Sequence, residues 1–121
     1  MGEPMCRGGE PGLDALSYTV ERHGGETCLA LTGVAVMDTR DTLCEAVGYA
    51  LAGRPRRLII DVARLRLLDA SGISVLVRAH RTTATEFTVV NADDLVYRVL
   101  AVCKLLDDFA VCRRDRDRAE P

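Results

Sequence analysis

An α/β domain, a mixed β-sheet of four to five strands with three or more α-helices packed against it, is the fold this sequence predicts, and three observations predict it. Two segments of alternating apolar and polar residues flank Gly24-Gly25, the pattern of a hairpin. Three later segments carry apolar residues at helical spacing, and each leads into a short apolar run. Strands joined through helices lie parallel, so the hairpin is antiparallel and the rest of the sheet is not.

Taken in order, residues 1–15 hold Gly2, Pro4, Gly8, Gly9, Pro11 and Gly12 with little apolar periodicity, and they are expected to form a flexible leader. Structure is expected from Leu16, with a domain over residues 16–112 and a charged tail over 113–121. Tyr18 and Val20 alternate on the first hairpin strand, and Leu29 and Leu31 on the second, which Gly33 is expected to end. Val34 to Met37 is a short apolar piece, a third strand or a bridge, and Asp38 or Thr39 can cap the helix that follows. Leu43, Val47, Ala50 and Leu51 form one stripe on that helix, and Gly53 and Pro55 stop it. Leu58-Ile59-Ile60 beside Asp61 and Val62 is the run of a central strand covered on both faces.

The signals then repeat. Ile73, Leu76, Val77 and His80 mark a second helix; Phe87, Val89 and Val90 a strand; Val96, Val99, Leu100 and Cys103 a third helix; and Phe109 to Cys112 a last short strand. In the tail, Arg113 to Arg118 alternates charges and is expected to be a solvated end.

Composition narrows the function. The 121 residues carry 16 Lys+Arg against 18 Asp+Glu, a net charge of -2, without the basic surplus of a nucleic-acid binder. No apolar run approaches the roughly 18 residues of a membrane-spanning helix, and no secretion signal opens the chain, so a cytoplasmic protein is expected. The 5 cysteines form no C-x-x-C pair. Cys28, Cys44, Cys103 and Cys112 are expected to be small buried residues, and Cys6 a tail thiol.

No nucleotide-hydrolysis or dinucleotide glycine pattern is present. His23 and His80 have no nucleophile and orienting acid beside them in sequence, and both are expected at the surface or at the core boundary. Asp93-Asp94 begins the third helix and is explained by capping and dipole compensation; neither it nor Asp107-Asp108, which follows that helix, is expected to bind a metal. No catalytic residue, metal or cofactor is expected.

One stretch stands out: Leu67-Leu68-Asp69-Ala70-Ser71-Gly72-Ile73, where a strand runs into the start of the second helix. Structurally, Asp69 or Ser71 caps the helix and Gly72 permits close packing. Functionally, first-turn N–H groups and the helix dipole suit a phosphate or carboxylate oxygen there.

Three motifs carry a family resemblance: Gly33 followed by Leu43 at the first helix; Leu58-Ile59-Ile60-Asp61-Val62-Ala63 running on to Leu68-Asp69-Ala70-Ser71-Gly72-Ile73; and Asp94-Leu95-Val96-Tyr97-Arg98-Val99-Leu100 before Leu105. With them, residues 16–112 resemble a STAS domain of the bacterial anti-sigma factor antagonist group. The resemblance implies a STAS-like sheet and a non-enzymatic regulator that binds a serine-kinase anti-sigma factor and so releases a sigma factor. In that group the strand, loop and D-S-S-G or D-S-T-G helix start form the docking surface; phosphorylation there releases the partner and a serine phosphatase restores binding.

Carried over position by position, the family's phospho-acceptor is Ala70, which has no hydroxyl, and Ser71 fills the second hydroxyl position as a candidate substitute acceptor. The family's G-E-[LI]-D is here Gly33-Val34-Ala35-Val36, with Asp38 the nearest acid; the loop after the second helix lacks a Gly pair, and Lys104 stands where a Gly precedes the Leu. The implied partner surface is Asp69, Ala70, Ser71, Gly72 and Ile73, with Asp38 and with Ser74 and Arg78 one helical turn apart. No nucleic-acid or membrane partner is implied, and a monomer or weak homodimer is expected. The alternatives are a STAS scaffold that has lost the switch and a small-ligand-binding module.

Overall fold

A computed structural model of the chain describes residues 6–9, 15–104 and 109–113. Its elements are β1 (Cys6–Gly9), β2 (Leu16–His23), β3 (Glu26–Ala35), a 3-10 turn (Met37–Thr39), α1 (Arg40–Leu51), β4 (Arg57–Leu68), α2 (Ala70–Arg81), β5 (Glu86–Ala92), α3 (Asp94–Val102) and β6 (Ala110–Arg113). The strands lie in one sheet in chain order, antiparallel from β1 to β3 and parallel from β3 to β6. The described sheet has six strands rather than four to five. Four residues of the segment expected as a leader supply the additional edge strand, with Cys6 opposite Val20 and Gly9 opposite Ser17.

Because the parallel strands follow one another in chain order, right-handed crossovers place α1, α2 and α3 on the same face. Burial agrees. Leu58, Ile60 and Val62 of β4 are buried beneath the helices, whereas Ile59, Asp61 and Ala63 on the other face are only half-buried. The expectation of a central strand covered on both faces is therefore corrected. On the uncovered face the Asp61 carboxylate accepts from Ala63 N–H and Asn91 Nδ2, both at 3.0 Å, which ties β4 to β5.

One apolar core joins β2 through β5, the three helices and Phe109. Of the predicted stripes, Leu43, Val47 and Ala50 on α1, Ile73 and Leu76 on α2, and Val96 and Leu100 on α3 are in the core; Ala46 and Val75 join them from outside the stripes, Leu51, Val77 and Val99 are only partly buried, and Cys103, past the end of α3, is exposed. His80 lies at the boundary, edge-on to Phe87 at 5.1 Å and to Phe109 at 5.2 Å. Asp93 caps α3 through Val96 N–H at 2.9 Å, and Arg113 pins β6 to that helix by pairing with Asp94 and lying 4.6 Å over the Tyr97 ring.

Two further expectations are corrected. Gly33 does not end the second hairpin strand; β3 runs through it to Ala35, with irregular register on either side. Gly33 holds φ +113°, and a Cβ there would stand 2.1 Å from Ala15 O, so only glycine fits. The cysteines are not a buried set: Cys44, Cys103 and Cys112 are exposed and Cys28 is half-buried. Cys44 is one residue off the α1 stripe and Cys112 alternates with the inward Val111, so periodicity overrides the usual preference of the residue for burial. Burial pushes the Cys28 thiol up, helped by the negative charges of Asp61 and Glu21. Residues 105–108 and 114–121, with Asp107, Asp108 and most of the charged tail, lie outside the described residues.

Candidate functional site

Strands β3 and β4 end side by side, Ala35 opposite Leu68, so the starts of α1 and α2 are neighbours. At the α2 start a single residue separates strand from helix. Asp69 is extended, its N–H donates to Ala35 O at 3.1 Å, and its Oδ1 accepts from Ser71 N–H at 2.9 Å and Gly72 N–H at 3.2 Å. The capping role read from the sequence belongs to Asp69, not Ser71. This also answers the anion expectation, because the carboxylate of Asp69 already occupies two first-turn donors and would repel a second anion.

Gly72 is buried against the end of β3. A Cβ there would meet Ala35 O at 2.7 Å and Leu68 Cδ1 at 2.8 Å, so the missing side chain is what lets α2 approach the sheet. Ile73 is buried as well. These two expected contact residues therefore support the surface from beneath and do not present a side chain on it. Ala70 is exposed, as are Ser74 and Arg78, which share the outer face of α2. Ser71 is half-covered, its Oγ 3.7 Å from Met37 Sδ.

The 3-10 turn brings the second half of the site. Sequence reasoning expected Asp38 or Thr39 to cap α1, but Thr39, although it stands at the N-cap, makes no such bond. Its buried hydroxyl turns back to the strand, donating to Val34 O at 2.8 Å and accepting from Val36 N–H at 2.9 Å. Asp38 and Met37 are consequently turned to the surface beside α2, Met37 with 68% exposure. Leu67, opposite Val34 at the end of β4, is 46% exposed. Met37 and Leu67 were named in the sequence reading only as parts of apolar segments and not as surface contacts; the one available signal was a break in strand alternation at both places.

Among the described residues no cluster of three or more His, Cys, Asp or Glu could hold a metal ion. No described helix is long and apolar enough to cross a membrane.

A family model described as "Mlab, STAS domain" matches residues 18–109. The chain is 32% identical over 63 residues to the anti-sigma-F factor antagonist RsfB of Mycobacterium tuberculosis, a stretch that makes up 52% of either chain, so it spans about half the length of the curated relatives it matches. Its fold is similar to that of an anti-sigma factor antagonist from Mycobacterium paratuberculosis, with TM-score 0.77, 25% identity and coverage of 89% of this chain and 93% of that one. The unphosphorylated anti-sigma factor antagonist SpoIIAA shares the fold at TM-score 0.63 and 17% identity, over 86% of this chain and 98% of its own. The family model covers most of the chain and the fold is shared with an anti-sigma factor antagonist, and the chain belongs to the STAS-domain family.

Proposed function

We infer that this STAS domain is an anti-sigma factor antagonist that binds an anti-sigma factor of the serine-kinase type and thereby frees a sigma factor, with its phospho-switch lost. Similarity to the mycobacterial antagonists supports the partner class. The observation that carries the lost switch is the α2 start itself. The outward position after the capping Asp69 is Ala70, a methyl group, while the neighbouring hydroxyl of Ser71 is half-covered and directed at Met37. A kinase reaching this surface meets no hydroxyl at position 70, and a phosphatase has nothing there to remove.

The missing lever is large. A phosphoryl group brings roughly -1.5 to -2 charge. Facing an acid on the partner at about 6 Å, each unit of charge costs roughly 1 to 3 kcal/mol, a ten- to hundredfold loss of affinity. Docking here uses Asp38, Ala70, Ser74 and Arg78, with Met37 and Leu67 as apolar contacts, on a base set by Asp69, Gly72 and Ile73.

The test incubates wild type, Ala70→Ser and Ser71→Ala with the serine-kinase anti-sigma factor encoded nearest to this chain and ATP, then maps phosphate by mass spectrometry and measures binding before and after. All three should bind, and only Ala70→Ser should be phosphorylated and released. Stoichiometric phosphorylation of wild type at Ser71 with release would make Ser71 the switch and overturn the loss. Failure of all three to bind would remove the antagonist reading in favour of a scaffold.

A further inference from the structure

The end of the sheet opposite the α2 start carries unpartnered positive charge. The α1–β4 and α2–β5 connections border a cleft of about 660 Å³ whose walls include Leu51, Arg54, Pro55, Arg56, Thr82 and Thr83, and the described residues lining it include no acid. Other arginines at this end are engaged: Arg22 Nη2 donates to Tyr49 O at 2.8 Å, and Arg57 bridges Glu26 at 3.3 Å and Glu86 at 3.7 Å. Arg54 and Arg56 are both exposed, and among the described residues neither guanidinium has an ion pair or a hydrogen bond. Arg56 also borders the neighbouring recess beside Glu26 and Glu86, the pair that Arg57 holds.

Helix ends alone do not account for these charges. The C-termini of α1 and α2 together present about one negative charge. Arg22 already serves α1, and α2 carries Arg78, His80 and Arg81 in its own last turn. Backbone conformation adds a second observation. Arg54 holds φ +52°, in the left-handed region, directly after Gly53. Glycine would adopt that conformation without strain, whereas a side-chain-bearing residue is disfavoured there. Glycine could therefore replace Arg54 without backbone strain, as it could at Lys104, which holds φ +61° after α3.

Thr82 and Thr83 complete the cleft. Each hydroxyl donates to Ala79 O, at 3.1 and 3.3 Å, so each keeps only acceptor capacity. Two guanidinium forks suit phosphoryl oxygens. Acceptor hydroxyls beside them suit the hydroxyl or amino groups of the body carrying the phosphate. The geometry points to a binding site for a small phosphorylated metabolite in this cleft, with Arg54 and Arg56 holding the phosphoryl group and Thr82 and Thr83 its hydroxyl-bearing part. It is remote from the α2 start and does not depend on the partner-docking reading.

Calorimetric titration of the intact chain with inorganic pyrophosphate, with ribose 5-phosphate and with phosphatidylcholine vesicles containing phosphatidic acid tests it, with ribose as the uncharged control. Saturable binding of ribose 5-phosphate and not ribose is expected, weakened at least about tenfold in Arg54→Gly and in Arg56→Ala and unchanged in Arg98→Ala, an exposed arginine on α3. Arg54→Gly should keep or raise the thermal midpoint, because it removes the guanidinium and relieves the backbone together, so loss of binding there is not loss of fold. No saturation with either phosphate overturns the site. So does equal binding by the Arg54 and Arg56 variants, an equal loss in Arg98→Ala, or binding only to phosphatidylcholine vesicles containing phosphatidic acid.

Discussion

Two strand-to-helix junctions stand side by side at one end of the sheet and are built in opposite ways. From β4 to α2 the chain turns on Asp69 alone, whose carboxylate reaches forward and closes the first turn of the helix. From β3 to α1 it passes through a 3-10 turn, and Thr39 reaches backward to bond Val34 and Val36 at the end of the strand. The forward cap makes a compact junction in which two first-turn N–H groups are bonded by the residue just before the helix. The backward bond leaves room for two residues, Met37 and Asp38, that project beside the first. One junction is thus the support of the candidate docking surface, and the other supplies its protruding side chains.

The glycines of the two junctions give the sharpest test of that difference. Gly33→Ala forces a side chain into φ +113° with a Cβ 2.1 Å from Ala15 O, and should destabilise by about 3 kcal/mol or more. Gly72→Ala meets Ala35 O at 2.7 Å, but the gain in helix propensity offsets about 1 kcal/mol, leaving a loss of about 1 to 2 kcal/mol. Urea unfolding at equilibrium reads both. A larger loss at Gly72 than at Gly33 would show α2 to be the less adaptable of the two.

Next in size are the two hydrogen-bonding side chains. Thr39→Val keeps the shape but orphans Val34 O and Val36 N–H and should lose about 1 to 3 kcal/mol. Asp69→Ala removes a cap with water nearby and should lose about 1 kcal/mol. The reverse order would mean that the backward bond is replaceable by solvent. For stability the smallest effect is at Met37: being 68% exposed, Met37→Ala should stay within about 0.5 kcal/mol of wild type. Its effect belongs to binding, where loss of a central apolar contact should weaken the anti-sigma factor complex by about tenfold, readable by surface plasmon resonance. Unchanged affinity would move the docking surface off the 3-10 turn.

By itself the sequence determined whatever short-range physics governs. The apolar stripes Leu43–Val47–Ala50, Ile73–Leu76 and Val96–Leu100 place three helices because side chains a turn apart share a face. Caps such as Asp69 and Asp93 are legible because a carboxylate bonds N–H groups only two or three residues ahead. The Asp69 to Gly72 start and its exposed Ala70 were legible for the same reason. Tertiary structure decided the rest. Pairing of β1 with β2, the single covered face of the sheet and the tight fit at Gly33 all depend on which distant strand lies alongside. Met37 meets Ser71 across a separation of 34 residues only because β3 and β4 end in register, Ala35 beside Leu68. Periodicity reports a residue's direction relative to its own element, and the neighbour it meets is fixed by pairings between segments far apart in the chain.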